Sequence, residues 1–486
     1  MKEKRFLSCG FALLMGVIAI AGCSGQPAKD APASDTAAQT TAQAEGQSSA
    51  PGDSGAESEG PAVSVDSFDW KQFEGEEVVL ATYLGTEADY LESLLPEFYD
   101  LTGIQVTIQQ YPEEQLYQQI QLDTSSHTGN IDCFTMDMMR IAEFAKAGYL
   151  AKVEEYLNNP ALTDMEWYDK EDILAGPMGA AKYDGELFGI PSTGETSIMF
   201  YRKDIFEEKG VEVPKTFEEL WDVCERIDDP NGTRAIGLRG LRGSGMNIYT
   251  WTQFFRGFGG DFFVDFPKDM TPTVNTPEAV EAVQYYAGLL QQFGPSDVAG
   301  YTNLDIQNAQ MSGAIAITMD ANVFATIIED ENTSSTAGKW GYAMVPGGKG
   351  GQWPSIYSHI MCINNYTDAK EAAWLFIEWA TSPEITQKRG LATGVPARRS
   401  TWESQEFIDQ MQYVGNGAYI DVCVEALEKA DAGYRPVFEN WNEMGDYLGI
   451  ALQDVISSEN TEGAQKALDG AQDQILGMLK DKGYIN

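Results

Sequence analysis

From residue 76 onward the chain repeats one order, a short apolar strand followed by an amphipathic helix, and this repetition limits the available folds more than any other feature. "EEVVLATYL" (76–84) reads as a strand and leads into a helix through "EADYLESLLPEFYDLTG", which stops at Gly103. "IQVTIQQY" places Ile104, Val106 and Ile108 on one face, as a half-buried strand does, and "QLYQQIQL" returns to helical spacing. "IDCFTMD" (131–137) and "RIAEFAKAGYL" repeat the pair. Alternating strands and helices of this kind wind an α/β sheet with helices packed on its faces.

The same grammar continues downstream. Thr216 and Glu219 in "PKTFEELWDVCERI" form a capping box, and Thr276 with Pro277 opens a helix through "NTPEAVEAVQYYAGLL". "AIGLRG" (235–240), "GAIAITMD" (313–320), "WGYAMV" (340–345) and "SHIMCI" (358–363) read as short strands. Ala372, Leu375, Phe376 and Trp379 make one helical stripe, and residues 407–486 look largely helical. Residues 67–486 exceed what one core usually organises, so two α/β lobes are expected.

The N-terminus belongs to a different regime. In "MKEKRFLSCGFALLMGVIAIAGCSGQ", Lys2, Lys4 and Arg5 precede an apolar run from Phe6 to Ile20. That run is shorter than the roughly 20 residues that span a bilayer, so residues 1–22 read as a secretory signal. Ile20, Ala21, Gly22 and Cys23 resemble a bacterial lipobox, which implies cleavage before Cys23, lipidation of its sulfur, and anchoring to the outer face of the cytoplasmic membrane; plain secretion with a chance cysteine is the alternative. Residues 24–66 contain no Leu, Ile, Phe, Tyr or Trp and cannot bury enough apolar surface to fold. With Cys23 they form a tether whose reach is a few tens of ångströms.

A formal charge of −42 repels nucleic acid and anionic lipid headgroups, leaving the lipid as the expected tie to the membrane and favouring a neutral or cationic ligand. Cys133, Cys224, Cys362 and Cys423 show no metal or redox spacing and read as buried thiols. His127 and His359 stand near no Ser or Cys motif, so nucleophilic catalysis has little to build on. "DDPNGT" (228–233) lacks the distal acids of a calcium loop and reads as a turn. No catalytic residue, metal site or cofactor is expected.

The order of "DCFTMDMMRIAEFAKAGYL", "YDGELFGIPSTGETSIMFYRKDIFEEKGVEVPKTFEEL", "MSGAIAITMDANV", "WGYAMVPGGKGG", "NNYTDAKEAAWLFIEWATSPE" and "GLATGVPARRS" resembles the extracytoplasmic solute-binding proteins of ABC importers, in the carbohydrate branch that includes maltodextrin- and polyol-binding proteins. The resemblance implies a two-lobe periplasmic-binding-protein-like fold, each lobe a sheet flanked by helices, with a multi-strand hinge and a ligand in the interlobe cleft. It implies a monomer that hands a neutral sugar, oligosaccharide or sugar alcohol to ABC permease subunits. Residues 67–194 plus 343–388 are expected to form one lobe and 195–342 plus 389–486 the other. The crossings are expected at Glu195–Tyr201, near Ala343–Pro346 and around Arg389.

A carbohydrate cleft needs polar groups for hydroxyl edges and aromatic faces for C–H surfaces. The resemblance places Glu195 at the floor of the cleft, where maltodextrin-binding proteins have a ligand-contacting Glu; a salt bridge to Arg202 or another hinge residue is its structural alternative. Strand ends and the loops after them select Tyr83, Glu87, Asp137 and Asp320, with helix capping as the competing role. Arg239 in "GLRG" suits vicinal hydroxyls or pairing with a surplus acid. Trp251, Trp353 and Tyr357 are candidates for stacking, and Trp441 matches a ring-stacking Trp of maltodextrin-binding proteins, while Trp374 and Trp379 are core candidates. Two rival functions use similar materials. A glycoside-acting enzyme needs two carboxylates roughly 5 to 10 Å apart, and no enzyme motif accompanies these acids; a peptide-binding importer component needs charged groups for peptide termini.

Overall fold

The computed structural model describes residues 68–485, so the signal segment, Cys23 and nearly all of the tether lie outside the described residues. Ten strands position the site: β1 (Glu77–Tyr83), β2 (Gln105–Tyr111), β3 (Cys133–Asp137), β4 (Ile190–Pro191), β5 (Glu195–Arg202), β6 (Arg234–Ile236), β7 (Ile315–Ala321), β8 (Trp340–Ala343), β9 (Ile356–Tyr357) and β10 (His359–Ile363). They form two sheets, each flanked by helices. The first has the order β2-β1-β3-β10-β4, and the second β8-β5-β7-β6 with β9 added on β5. In the first sheet β1 runs parallel to β2, from Glu77 opposite Gln105 to Tyr83 opposite Tyr111, and parallel to β3; β10 returns antiparallel.

Local chemistry sets the helices as the residue patterns require. Helix α1 (Thr86–Thr102) closes on Gly103, whose φ of 73° lies in the left-handed region that glycine adopts without steric penalty. The Thr216–Glu219 capping box is formed at the head of Phe217–Ile227, and Thr276 caps Pro277–Phe293. In the first lobe, Phe98 of α1 packs 5.3 Å from Phe376 and 5.1 Å from Trp379, both on the helix Lys370–Ala380. Trp374 of the same helix donates its indole N–H to Thr163 at 3.0 Å. Each such ring contributes about 1.5–3 kcal/mol by leaving water.

The chain passes between the sheets three times, and the passages are bonded to one another. The first spans Pro191–Glu195 and the second Tyr357–His359. Ser358 Oγ donates to the Thr193 carbonyl at 2.5 Å and the His359 N–H donates to Thr193 Oγ1 at 3.0 Å. The third passage, at 394–397, accepts the Gly194 N–H on the Val395 carbonyl at 2.9 Å. A Cβ on Gly194 would stand 3.0 Å from the Pro396 carbonyl and 3.1 Å from Pro177, so glycine permits this approach.

The second passage lies farther along the chain than Ala343–Pro346. Ala343 is still paired with Met199 in the second sheet, and the following loop stays there because Gly347 bonds to Lys215 and Gly350 to Gly257. The third lies just beyond Arg389, since the helix Pro383–Thr393 packs on α1 of the first lobe.

Glu378, fully buried on the Lys370–Ala380 helix, accepts the Asp164 N–H at 3.2 Å and no other hydrogen bond among the described residues, and burial pushes its pKa up to about 9. A carboxyl that ionises near its ordinary value when unfolded and far higher when folded leaves stability intact in acid and erodes it as pH rises toward the folded value. Glu378→Gln should therefore raise the melting temperature at pH 7.5, with the gain shrinking toward zero near pH 4.5, as read by calorimetry at the two pH values.

Candidate functional site

The passages form the floor of a cavity of about 350 Å³ between the two sheets. The first lobe lines it with Glu113, Asp137 and Met139, the passages with Glu195 and Tyr357, and the second lobe with Arg239, Tyr249 and Arg435 beside Ser244, Asn303 and Asn442. Carboxylates thus stand on one side and guanidinium groups on the other.

Asp137 ends β3 and does two jobs. One oxygen accepts the Met139 N–H at 2.7 Å, capping the short helix that follows, while the side chain borders the cavity. Burial raises its pKa against that hydrogen bond and the charge of Arg435. Tyr83 stands one layer behind. Its ring stacks on His359 at 4.5 Å, its hydroxyl bonds Tyr117, and the Tyr117 hydroxyl accepts the Asp137 N–H at 3.3 Å. Glu87 is drawn away from the cavity by an ion pair with Arg389 and by His359 Nδ1 at 3.4 Å. Burial pushes its carboxyl up, but the Arg389 charge and His359 outweigh it and bring the pKa down to about 2.

Glu195 is the first residue of β5, opposite Tyr357 of β9. It is half-buried and faces the cavity, and among the described residues no side chain or backbone group hydrogen-bonds its carboxylate. The expected alternative of an Arg202 pair is not what forms, because Arg202 is engaged by Asp204 at 2.6 Å. Burial raises the Glu195 pKa, with His359 and Arg239 pulling it down and Glu87 adding to the rise.

On the opposite wall Arg239 is held by both oxygens of Asp320, one at 2.9 Å from Nε, and donates to the Gly245 carbonyl at 2.7 Å. Asp320 is fully buried and lines nothing, so it orients Arg239 and is not itself offered to the cavity. Two guanidinium groups lie over the Tyr249 ring, Arg239 at 4.5 Å and Arg435 at 5.4 Å, and the Tyr249 hydroxyl accepts from Ser355 at 2.6 Å. Arg435 donates to the Ser244 carbonyl at 3.1 Å.

Of the stacking candidates, only Tyr357 borders the cavity. Trp251 is buried because every residue of its helix, Asn247–Gly257, is buried, and it stacks on Phe255 at 4.7 Å. Trp441 starts the helix Trp441–Ile456 and meets the Phe262 ring edge-on at 5.0 Å inside the second lobe. Trp353 is half-buried under Arg256, 5.3 Å from its ring, with its N–H on the Gly350 carbonyl. Residues two apart on a helix point in nearly opposite directions, so Trp251 in the core places Tyr249 at the cavity. Tyr249, Arg435, Glu113 and His359 were not singled out from sequence. The first two sit inside the segments "GSGMNIYTW" and "YRPVFENW", where the tryptophans drew attention instead.

Residues 85–387 match the family of bacterial extracellular solute-binding proteins, and the chain belongs to it. It is 26% identical to the mannitol-binding protein of Pseudomonas aeruginosa, covering 76% of this chain and 86% of that one. It is 25% identical to the erythritol/L-threitol-binding protein of Mycolicibacterium smegmatis, covering 82% and 86% respectively. Among solved structures, an ABC transporter solute-binding protein of Agrobacterium radiobacter in complex with ribitol superimposes with a TM-score of 0.71 at 25% identity, covering 83% of this chain and 99% of that one. The family and these relatives are binding proteins of transporters, not enzymes.

The two acids Asp320 and Glu195 should fail differently. Asp320→Asn leaves Arg239 buried without its counter-charge and should cost about 3–5 kcal/mol of stability, measured by urea unfolding. Glu195→Gln removes no protein contact, so its unfolding midpoint should stay at or above that of the parent.

Proposed function

We propose that this chain captures a small sugar or sugar alcohol outside the cytoplasmic membrane and delivers it to an ABC permease. The carrying observation is the split wall of the cavity, with Glu113 and Asp137 on one lobe, Arg239 and Arg435 on the other, and Glu195 and Tyr357 between them. A hydroxyl group donates to a carboxylate and accepts from a guanidinium, so a polyhydroxylated ligand satisfies both lobes at once and favours their closed arrangement. The relatives that bind mannitol, erythritol or L-threitol, and the neighbour solved with ribitol, support a ligand of this class. In this reading Asp137, Glu195, Arg239, Arg435 and Tyr357 contact the ligand, while Tyr83, Glu87 and Asp320 hold the contacting groups in place. Cys23 carries a lipid that anchors the monomer, and residues 24–66 space the binding body from the membrane.

The test is a thermal-shift screen of the mature chain against erythritol, ribitol, D-mannitol, D-tagatose, maltose and amino acids. A site ligand at 100 times its dissociation constant stabilises by about 2.7 kcal/mol, and Glu195→Gln and Arg239→Met should each abolish the shift at that concentration. Stabilisation by amino acids alone would overturn the reading.

A further inference from the structure

We propose that Lys146 and Glu439 form a latch between the two lobes that biases them toward closure before any ligand binds. The inference concerns regulation of the site described above and rests on that reading only for its effect on affinity. Lys146 ends the short helix Ile141–Lys146, which follows β3 in the first lobe. Glu439 immediately precedes the helix Trp441–Ile456 of the second lobe. Lys146 Nζ stands 2.6 Å from Glu439 Oε1, so the pair joins the two lobes directly.

The second lobe holds its half of the pair ready. Tyr484, just beyond the helix Ala464–Asp481, donates its hydroxyl to Glu439 and packs edge-on against Phe438 at 5.6 Å. The Lys146 ammonium lies 5.2 Å from the Tyr484 ring centre, so the arriving cation meets a carboxylate and an aromatic face together. Burial would push the Glu439 carboxyl up, but Lys146 and the Tyr484 hydroxyl hold it below its ordinary value. Glu439 is 16% exposed and Lys146 57%, which makes the acid the fixed half and the lysine the half that leaves.

Position gives the pair its leverage. The segments that carry it also carry the cavity walls, Asp137 and Met139 on one side and Arg435 and Asn442 on the other. Because the pair joins segments of opposite lobes, a rotation of one lobe against the other separates Lys146 from Glu439. A contact made in one arrangement and lost in the other shifts the population between them. Exposed ion pairs are worth enough to change that population roughly two- to fivefold, and salt weakens them.

The experiment needs no ligand, which separates its failure from failure of the functional reading. Spin labels carried on a ketone-bearing unnatural amino acid at Gln121, on the first lobe, and Lys466, on the second, report the interlobe distance in the ligand-free mature chain. Both positions are exposed, and the four body thiols, all buried, are left untouched. Lys146→Met and Glu439→Gln should each raise the long-distance population roughly two- to fivefold at low salt. The exchange of Lys146→Glu with Glu439→Lys should restore the parent distribution. Distributions for the single variants that superimpose on the parent at low salt would overturn the latch, as would an exchange variant that stays as open as the singles.

Discussion

One carboxylate, that of Glu87, touches all three routes by which the chain leaves the first lobe. Its oxygens meet Arg389, which shortly precedes the third passage, His359 at 3.4 Å, which ends the second, and Ser192 Oγ at 3.5 Å, in the first. Glu87 sits in the first turn of α1, where the aligned peptide dipoles favour negative charge. The pKa consequences are reciprocal. Burial would lower the His359 pKa, but the hydrogen bond and charge of Glu87 raise it, while Glu87 falls to about 2. An anion held this firmly makes the first-lobe end of the hinge a fixed block.

With that end fixed, rotation is left to the spans just beyond it, near Gly194 and Ser358, where the passages are tied by the three hydrogen bonds around Thr193 and Gly194. Groups on this axis, Glu195 and Tyr357, keep their places whatever the angle between lobes. Groups on the walls, Asp137 against Arg239 and Arg435, meet only when the lobes approach. In the proposed reading, hinged closure would therefore assemble the polar complement of the cavity and not merely cover it.

Much of this was readable from residue order because it rests on local chemistry. The strand and helix sequence, the capping box at Thr216, the C-cap at Gly103 and the position of Glu195 at the head of a strand all follow from a few neighbouring residues. A second capping box, Thr302 with Asp305, is equally local. What escaped depends on distant segments. Whether Trp251 or Tyr249 faces the cavity is decided by which neighbours bury the Asn247–Gly257 helix, and those come from residues 277–293, 432–434 and 441–456. The loop after Ala343 carries no local sign that Gly347 and Gly350 tie it back to Lys215 and Gly257. Asp320 was visible as a strand-end acid, but only the parallel pairing of β7 with β6 brings Arg239 beside it.

The charges around the cavity explain why a chain of net charge −42 brings cations to this one place. Arg239 is compensated by buried Asp320 and the Gly245 carbonyl, while Arg435 donates to the Ser244 carbonyl, and both guanidinium groups lie near the Tyr249 ring. The acids of the facing wall and of the floor are less complete. Asp137 uses one oxygen for the Met139 N–H, and the Glu195 carboxylate has no protein hydrogen bond among the described residues. A half-buried carboxylate without a protein donor carries a desolvation cost that water or an incoming donor must offset. An anionic ligand would raise that cost by repulsion, and an apolar one would leave it standing. In the proposed reading a hydroxyl offsets it while accepting from the arginines, so the incompleteness of Glu195 would be the part of the site that discriminates.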